Sequence, residues 1–160
     1  MKIGLIGAGR LGLCFALLME RAGYTVIASD IREDYVKGLN EKRIDTNEPD
    51  VERLLSASSN ITFTTNNCDI IEQCDLIYTF VATPSTRDGD YDVSAIEKVV
   101  QDFTTSSSKL SGKSLVIGCT TNPGDCDRFQ DDLSYFGMDV YYNPEFIAQG
   151  TIIKDLINAD

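Results

Sequence analysis

The chain has 160 residues, of which 42% are hydrophobic and 24% are charged, and its formal net charge is −11. This length fits one domain with an ordinary apolar core. So acidic a surface repels a phosphate backbone, and no basic cluster in the sequence offsets the repulsion. We therefore expect neither DNA nor RNA as a partner.

The sequence predicts neither a membrane anchor nor a secretion signal. The longest apolar run, residues 13–19, is much shorter than the about 20 residues that span a bilayer. Residues 1–7 lead into a glycine turn without a cleavable apolar segment. The five cysteines form no C-x-x-C pair, and the chain has no histidine. We expect reduced thiols, no metal site and a cytoplasmic location.

Strand-like and helix-like segments alternate along the chain. In chain order we predict a strand over residues 2–6, a helix over 10–22, a strand over 25–29, helices over 33–39 and 50–56, a strand over 61–64, a helical turn over 69–73, a strand over 75–81, a helix over 93–109, a strand over 115–119, a helix over 124–136 and a strand over 138–142. Asp50 is expected to cap the helix that follows it. Residues 82–92 read as a loop, and the tail after Phe146 has no clear period. Such alternation predicts an α/β fold of the Rossmann type, a doubly wound, mostly parallel sheet with helices on both faces.

Residues 7–12 read Gly-Ala-Gly-Arg-Leu-Gly and match G-x-G-x-x-G between the first strand and the first helix. Gly7 permits a tight turn, Gly9 lets the backbone approach a pyrophosphate, and Gly12 lets the helix pack on the strand. The opening of the helix, which includes Arg10 and Leu11, offers free N–H groups and a partial positive charge to that pyrophosphate. The pattern therefore predicts a dinucleotide site.

Asp30 closes the second strand 18 residues after Gly12. A carboxylate there accepts hydrogen bonds from both hydroxyls of the adenosine ribose, and it repels a 2′-phosphate. This favours NAD over NADP as the cofactor. Arg32 leaves the second cofactor open, because a nearby arginine can accommodate the phosphate. The other interpretation of Asp30 is a turn-forming or helix-capping residue.

Further segments resemble the UDP-glucose/GDP-mannose dehydrogenase family. Residues 81–85, Val-Ala-Thr-Pro-Ser, and the acidic residues 88–94 resemble the V-P-T-P loop of the family, with Ala82 in place of its first proline. Residues 119–125 resemble its S-T-V-P-P-G-T segment. The resemblance implies that Thr83 lies beside the dinucleotide and that Thr120 forms hydrogen bonds near the reacting centre.

Alternative interpretations of these two segments are an ordinary loop turned by Pro84 and a helix start over residues 122–125. Asn122 and Asp125 depart from the family pattern.

Residues 143–150 resemble the N-P-E-F-L-R-E-G stretch of the same family. The resemblance assigns to Glu145 a role in proton transfer and in hydrolysis of a covalent intermediate. Ala148 and Gln149 replace the usual Arg and Glu, so no charge-based role is carried over to them. Residues 158–160 resemble its N-P-D, and residues 39–40 with 48–49 resemble its L-N…E-P segment. Without the resemblance, Glu145 would read as an exposed carboxylate after a strand.

The resemblance implies a nucleotide-sugar 6-dehydrogenase, which oxidises UDP-glucose or GDP-mannose to the uronic acid with two NAD. A cysteine thiolate holds the aldehyde as a thiohemiacetal and then as a thioester. Nothing in residues 1–160 matches the segment that carries this cysteine. We therefore expect a single NAD-binding domain, the N-terminal half of a longer two-domain enzyme, which does not complete the oxidation alone. The nucleotide sugar would bind through the other half, and the full-length form would be a homodimer.

Two other hypotheses remain open at this point. One is a stand-alone NAD(H)-binding module that senses redox state without catalysis. The other is a different NAD-dependent dehydrogenase, such as a 3-hydroxyacid type. The second hypothesis accounts for the glycine turn and Asp30, but not for residues 82–85 together with 143–150.

Overall fold

The computed structural model describes residues 1–145 and 147–158, which form one sheet of six parallel strands with helices on both faces. The strands are β1 (Lys2–Ile6), β2 (Thr25–Ser29), β3 (Ile61–Thr64), β4 (Leu76–Thr79), β5 (Ser114–Ile117) and β6 (Asp139–Tyr142). The helices are α1 (Arg10–Arg21), α2 (Glu33–Asn40), α3 (Val51–Ala57), α4 (Asn67–Gln73), α5 (Ser94–Thr104), α6 (Asp125–Ser134) and α7 (Ile152–Ile157).

The strands lie in the order β3-β2-β1-β4-β5-β6. The chain starts in the middle of the sheet, builds outward to β3 and then crosses back to place β4 on the other side of β1. In open parallel sheets the ligand crevice lies outside the carboxyl ends of the strands, at the point where this reversal occurs. The Rossmann-type fold is confirmed, and the crevice is expected between β1 and β4.

Two apolar clusters fill the two faces of the sheet. Leu5 points into a cluster with residues of α1, α2, α3 and α7, whereas the next residue, Ile6, points into a cluster with residues of α4, α5 and α6. This alternation follows from the two-residue period of a strand. Both faces of the strands are thus covered, which explains why β1 and β2 are nearly continuous apolar runs.

Two predicted features differ from the structure for identifiable reasons, and one helix has no predicted counterpart. The predicted side-chain cap by Asp50 is wrong, because this residue has a φ of 67° and makes no capping hydrogen bond. The helix predicted over residues 93–109 ends at Thr104. The hydroxyls of Thr104 and Thr105 donate to the carbonyl of Gln101 at 3.1 and 2.8 Å and compete with the helical backbone. Helix α7 was not predicted.

Within residues 1–145 and 147–158, no helix combines the length and the apolar character needed to cross a membrane.

The side chain of Asn40 covers the backbone of the edge strand β3. Its amide donates to the carbonyl of Phe63 at 2.9 Å, and its oxygen accepts the N–H of Phe63 at 3.2 Å. Asn40 is therefore the residue that ties the end of α2 to the edge of the sheet.

We predict that Asn40→Ala lowers the free energy of unfolding by about 1–2 kcal/mol, because two partly buried backbone groups lose their partners. Urea denaturation followed by circular dichroism measures this change. Lys37→Ala, on an exposed position of the same helix, is the control and should leave the midpoint unchanged. Equal effects of the two variants would contradict this role of Asn40.

Candidate functional site

A crevice of about 470 Å³ opens where the strand order reverses. Its walls come from the turn after β1, the end of β2 and the loop after β4, with one side of α5. The residues that line it are Ile6, Gly7, Gly9, Asn67, Ala95 and residues 29–32, 80–82 and 98–99. The crevice is the expected place for a dinucleotide in this fold.

The three glycines of the turn have different surroundings. Gly7 has a φ of 97°, and a Cβ atom added to it would lie 2.7 Å from the carbonyl oxygen of Phe80. A Cβ atom at Gly12 would overlap the carbonyl oxygen of Gly7. A Cβ atom at Gly9 would meet nothing within 4 Å. Gly7 and Gly12 are therefore required by the fold, whereas Gly9 faces open space in the crevice.

Among the residues that the structure describes, no side chain caps the amides at the start of α1. The N–H groups of Gly7 and Ala8 both donate to the carbonyl of Ser29, at 2.9 and 2.7 Å, which fixes the turn to β2. The helix itself has no side-chain cap at Gly9 and no acidic residue in its first turn. Because the first amides of a helix have no intrahelical partner, those of the α1 opening are left for an anionic group.

Asp30 lies at the mouth of the crevice, directly after β2. Its carboxylate accepts hydrogen bonds from Nε and Nη2 of Arg32, both at 2.8 Å, and from the backbone N–H of Arg32 at 3.1 Å. The Arg32 guanidinium also lies 4.0 Å from the centre of the Tyr35 ring. Burial acts to raise the pKa of Asp30, but the hydrogen bonds and charge of Arg32 outweigh it and hold the pKa below its usual value. The carboxylate is thus fixed and charged at neutral pH.

Thr83 lies in the loop after β4, directly after the crevice residue Ala82, and is not itself among the residues that line the crevice. The loop folds back on itself through a bridge between Ser85 and Tyr91. Asn122 then joins it to the loop after β5, because the Asn122 side chain accepts the N–H of Tyr91 at 2.8 Å and donates to its carbonyl at 2.9 Å. Asp125 in turn accepts the N–H of Asn122 at 2.9 Å. Asn122 and Asp125, which depart from the family pattern, therefore form one hydrogen-bonded set that joins the loops after β4 and β5.

Thr120 follows β5 and Glu145 follows β6, and neither is among the residues that line the crevice. Thr120 is exposed, and Glu145 is half-buried with Oε1 accepting from Nδ2 of Asn143 at 3.0 Å. Glu145 also borders an apolar cavity of about 610 Å³ that Phe15 helps to line. Among the described residues no hydrogen bond joins Thr120 to Glu145. Phe146 and the last two residues of the N-P-D-like segment, Ala159 and Asp160, lie outside the described residues.

Cys119, directly before Thr120, is a poor candidate for a nucleophile. Burial raises the pKa of its thiol to about 11. The neutral thiol dominates at physiological pH, whereas the thiolate is the reactive form. Cys14 and Cys74 are buried as well, with their thiol pKa values raised by burial to about 12 and about 11.

Sequence patterns did not reveal several contacts around the crevice. Ser29 donates to Asn67 at 2.6 Å, and Asn67 donates to Asp102 at 2.7 Å. Arg10 donates from Nη1 to the side-chain oxygen of Gln149 at 2.5 Å. These partners are 35 to 139 residues apart. No local signal could have found them, because they depend on the order of the strands.

The family model of the UDP-glucose/GDP-mannose dehydrogenase family, NAD binding domain, matches residues 1–160. The chain belongs to this family. NAD is accordingly its cofactor, and the uncapped start of α1 with charged Asp30 fits that molecule. Family members are NAD-dependent nucleotide-sugar dehydrogenases. This chain corresponds to the NAD-binding domain of the family.

Relatives and solved structures agree with this membership. The chain is 28% identical over 171 residues to the UDP-glucose 6-dehydrogenase AglM of Haloferax volcanii, with 100% of the chain and 40% of the relative covered. It is 29% identical to the GDP-mannose 6-dehydrogenase of Pseudomonas syringae, with 97% and 38% covered. The crystal structure of GDP-mannose dehydrogenase from Pseudomonas aeruginosa superposes with a TM-score of 0.87 at 25% identity and covers 98% of this chain and 38% of that one. The chain thus spans about two fifths of the length of these relatives.

We predict opposite effects for alanine at two glycines of the turn. Gly12→Ala should lower the free energy of unfolding by about 2–3 kcal/mol, because the methyl group overlaps a backbone oxygen. Gly9→Ala should leave that free energy nearly unchanged but weaken NAD⁺ binding by about tenfold, or about 1.4 kcal/mol. Chemical denaturation and calorimetric titration measure the two quantities. An unchanged NAD⁺ affinity in Gly9→Ala would mean that the pyrophosphate does not bind there.

Proposed function

We propose that the chain is the N-terminal half of a two-domain nucleotide-sugar 6-dehydrogenase that oxidises UDP-glucose or a related sugar to the uronic acid with two NAD. The observation that carries this proposal is the ordered carboxylate of Glu145 in the segment after β6, where Oε1 accepts a hydrogen bond from Asn143. The family resemblance assigns proton transfer to this residue, and a free-standing cofactor module has no need of that function.

In the proposed site the crevice residues bind and orient the cofactor. The amides at the start of α1, beginning at Gly9, receive the pyrophosphate, and Asp30 accepts the two ribose hydroxyls. Thr83 and Thr120 border the path from the crevice toward β5. When bound, NAD⁺ supplies the hydride acceptor for each of the two oxidation steps.

Glu145 and Thr120 are the proposed catalytic residues of this chain. Oxidation of a primary alcohol releases protons, and hydrolysis of a thioester requires an activated water molecule. The chain has no histidine, so a carboxylate, lysine, tyrosine or bound water must transfer the proton. We assign this role to Glu145, with a water molecule ordered by Thr120. The thiolate that carries the thioester is proposed to come from the other half of the enzyme, because no segment of residues 1–160 matches the one that carries the cysteine of the family.

The remaining partners are proposed on the same basis. The nucleotide sugar binds between this domain and the other half, the complete enzyme is a homodimer, and it works in the cytoplasm. The relatives that the chain matches are named for UDP-glucose and GDP-mannose. Their names support a nucleotide sugar as the substrate class and leave the choice of sugar to experiment.

Selectivity for NAD⁺ tests the proposed role of Asp30. We expect the chain to bind NAD⁺ more tightly than NADP⁺ and Asp30→Ala to lose about ten- to a hundredfold in NAD⁺ affinity, because charge-assisted hydrogen bonds to the diol disappear. The pKa of Asp30 is lowered, so the charged form is kept above that pKa and is lost only as the pH falls through it. Affinity should therefore be equal at pH 7.5 and pH 5.5. Calorimetric titration with both cofactors measures this, and Asp34→Ala, an exposed position on α2, is the control. Equal binding of NADP⁺ would refute the assignment.

Catalysis by Glu145 is tested in the complete enzyme. Glu145→Gln should lower kcat by about 100-fold or more with UDP-glucose or GDP-mannose as the substrate, since the general base is lost. NAD⁺ affinity should be unchanged, because the residue is not proposed to contact the cofactor. Glu72→Gln, on the exposed side of α4, should keep full activity. A variant at Glu145 with normal kcat would exclude the proposed role.

A further inference from the structure

Glu48 is a buried carboxylate that the proposed mechanism does not use. It is only 5% exposed and lies in the loop between α2 and α3. Its Oε1 accepts the N–H of Gly150 at 2.5 Å, and its Oε2 accepts the N–H of Ile152 at 3.4 Å. These partners are 102 and 104 residues away in the chain. Both carboxylate oxygens thus hold the backbone of one distant segment.

The segment that Glu48 holds includes the start of α7. This helix has six residues, too few to be stable by propensity alone. Its first N–H groups need partners, and Thr151 provides no side-chain cap. Glu48 is the hydrogen-bond partner of one of these N–H groups, that of Ile152. The side chains of Ile152 and Ile153 pack into the core around α1 and α3. Glu48 therefore fixes where the segment lies.

The same segment contacts the first residue of α1, which directly follows the crevice residue Gly9. Gln149, next to Gly150, accepts a hydrogen bond from Nη1 of Arg10 at 2.5 Å. Arg10 is the first residue of α1 and follows Gly9 directly. A continuous set of contacts therefore runs from the Glu48 carboxylate through Gly150 and Gln149 to the residue beside the pyrophosphate position.

We propose that Glu48 is a positioning residue for cofactor binding, which sets the affinity for NAD⁺ by fixing Gln149 against Arg10. It touches neither the cofactor nor the sugar. Its action requires two acceptor oxygens, because two N–H groups of the segment donate to it. The proposal rests on the binding of NAD by this chain, and it adds a residue outside the crevice to the determinants of that binding.

Glu48→Gln is the decisive variant, since it keeps the volume and one acceptor oxygen but presents an amide N–H₂ group to one backbone N–H. We expect NAD⁺ affinity to fall by about fivefold, measured by calorimetric titration on variants shown to be folded by circular dichroism. Glu52→Gln, on the first turn of α3 and exposed, is the matched control and should bind as the unaltered chain does.

A double-mutant cycle separates positioning from a general loss of stability. Gln149→Ala alone should weaken NAD⁺ binding by about the same fivefold, and Glu48→Gln should add nothing further in the Gln149→Ala background. Gln149 is exposed, so this variant leaves the core intact and tests the path even where the Glu48 variant fails to fold. Additive losses, or a lower Tm of Glu48→Gln with unchanged NAD⁺ affinity, would overturn the proposal. Absence of NAD⁺ binding by the unaltered chain would instead refute the assignment of the crevice itself.

Discussion

The start of α1 is the feature on which the site depends. The carbonyl of Ser29 takes the amides of Gly7 and Ala8, and the close approach of Gly12 to Gly7 sets the helix directly on the turn. The amides that follow have no protein cap. Since an unpartnered helix start carries about half a positive charge, the fold itself creates an anion site at the reversal point of the sheet. The other residues of the crevice select among the anions that fit.

The sequence predicted the parts of this site that local geometry determines. The bounds of β1, β2 and β3 agree with the prediction, because glycine and polar residues end each apolar run. The predicted positions of the glycine turn, between β1 and α1, and of Asp30, directly after β2, also agree with the structure, because both follow from the pattern of neighbouring residues. Helix α7 could not be predicted, because Glu48, which stabilises its start, lies about 100 residues away. The error at Asp50 has a similar origin: its positive φ is imposed by the loop, and its carboxylate pairs with Arg53 instead.

Departures from the family pattern have local explanations in the structure. Asn122 stands where the family pattern has a proline. Its side chain forms hydrogen bonds with both the N–H and the carbonyl of Tyr91, which joins the loops after β4 and β5. Gln149 replaces the glutamate of the family pattern, and its side-chain oxygen accepts a hydrogen bond from the Arg10 guanidinium. A neutral side chain is therefore sufficient to bind Arg10 at this position. In each case the contact joins segments that are far apart in the chain, by 31 and 139 residues. The substitutions therefore change how these segments are joined, and neither of them lies in the glycine turn.

The charge of the crevice explains how a strongly acidic chain accommodates an anionic cofactor. Long-range repulsion from a net charge of −11 is screened over about 8–10 Å in physiological salt, whereas the helix start acts at contact distance. In the proposed binding mode Arg32 does not convert this site to one for a 2′-phosphate, because Asp30 already occupies its Nε and Nη2 and Tyr35 covers its plane. A phosphate would have to displace the Asp30 carboxylate from that guanidinium while lying beside the same carboxylate. The proposed hydrogen bonds from the ribose diol need only the remaining lone pairs of Asp30, so we propose that the ion pair between Asp30 and Arg32 also favours the unphosphorylated cofactor.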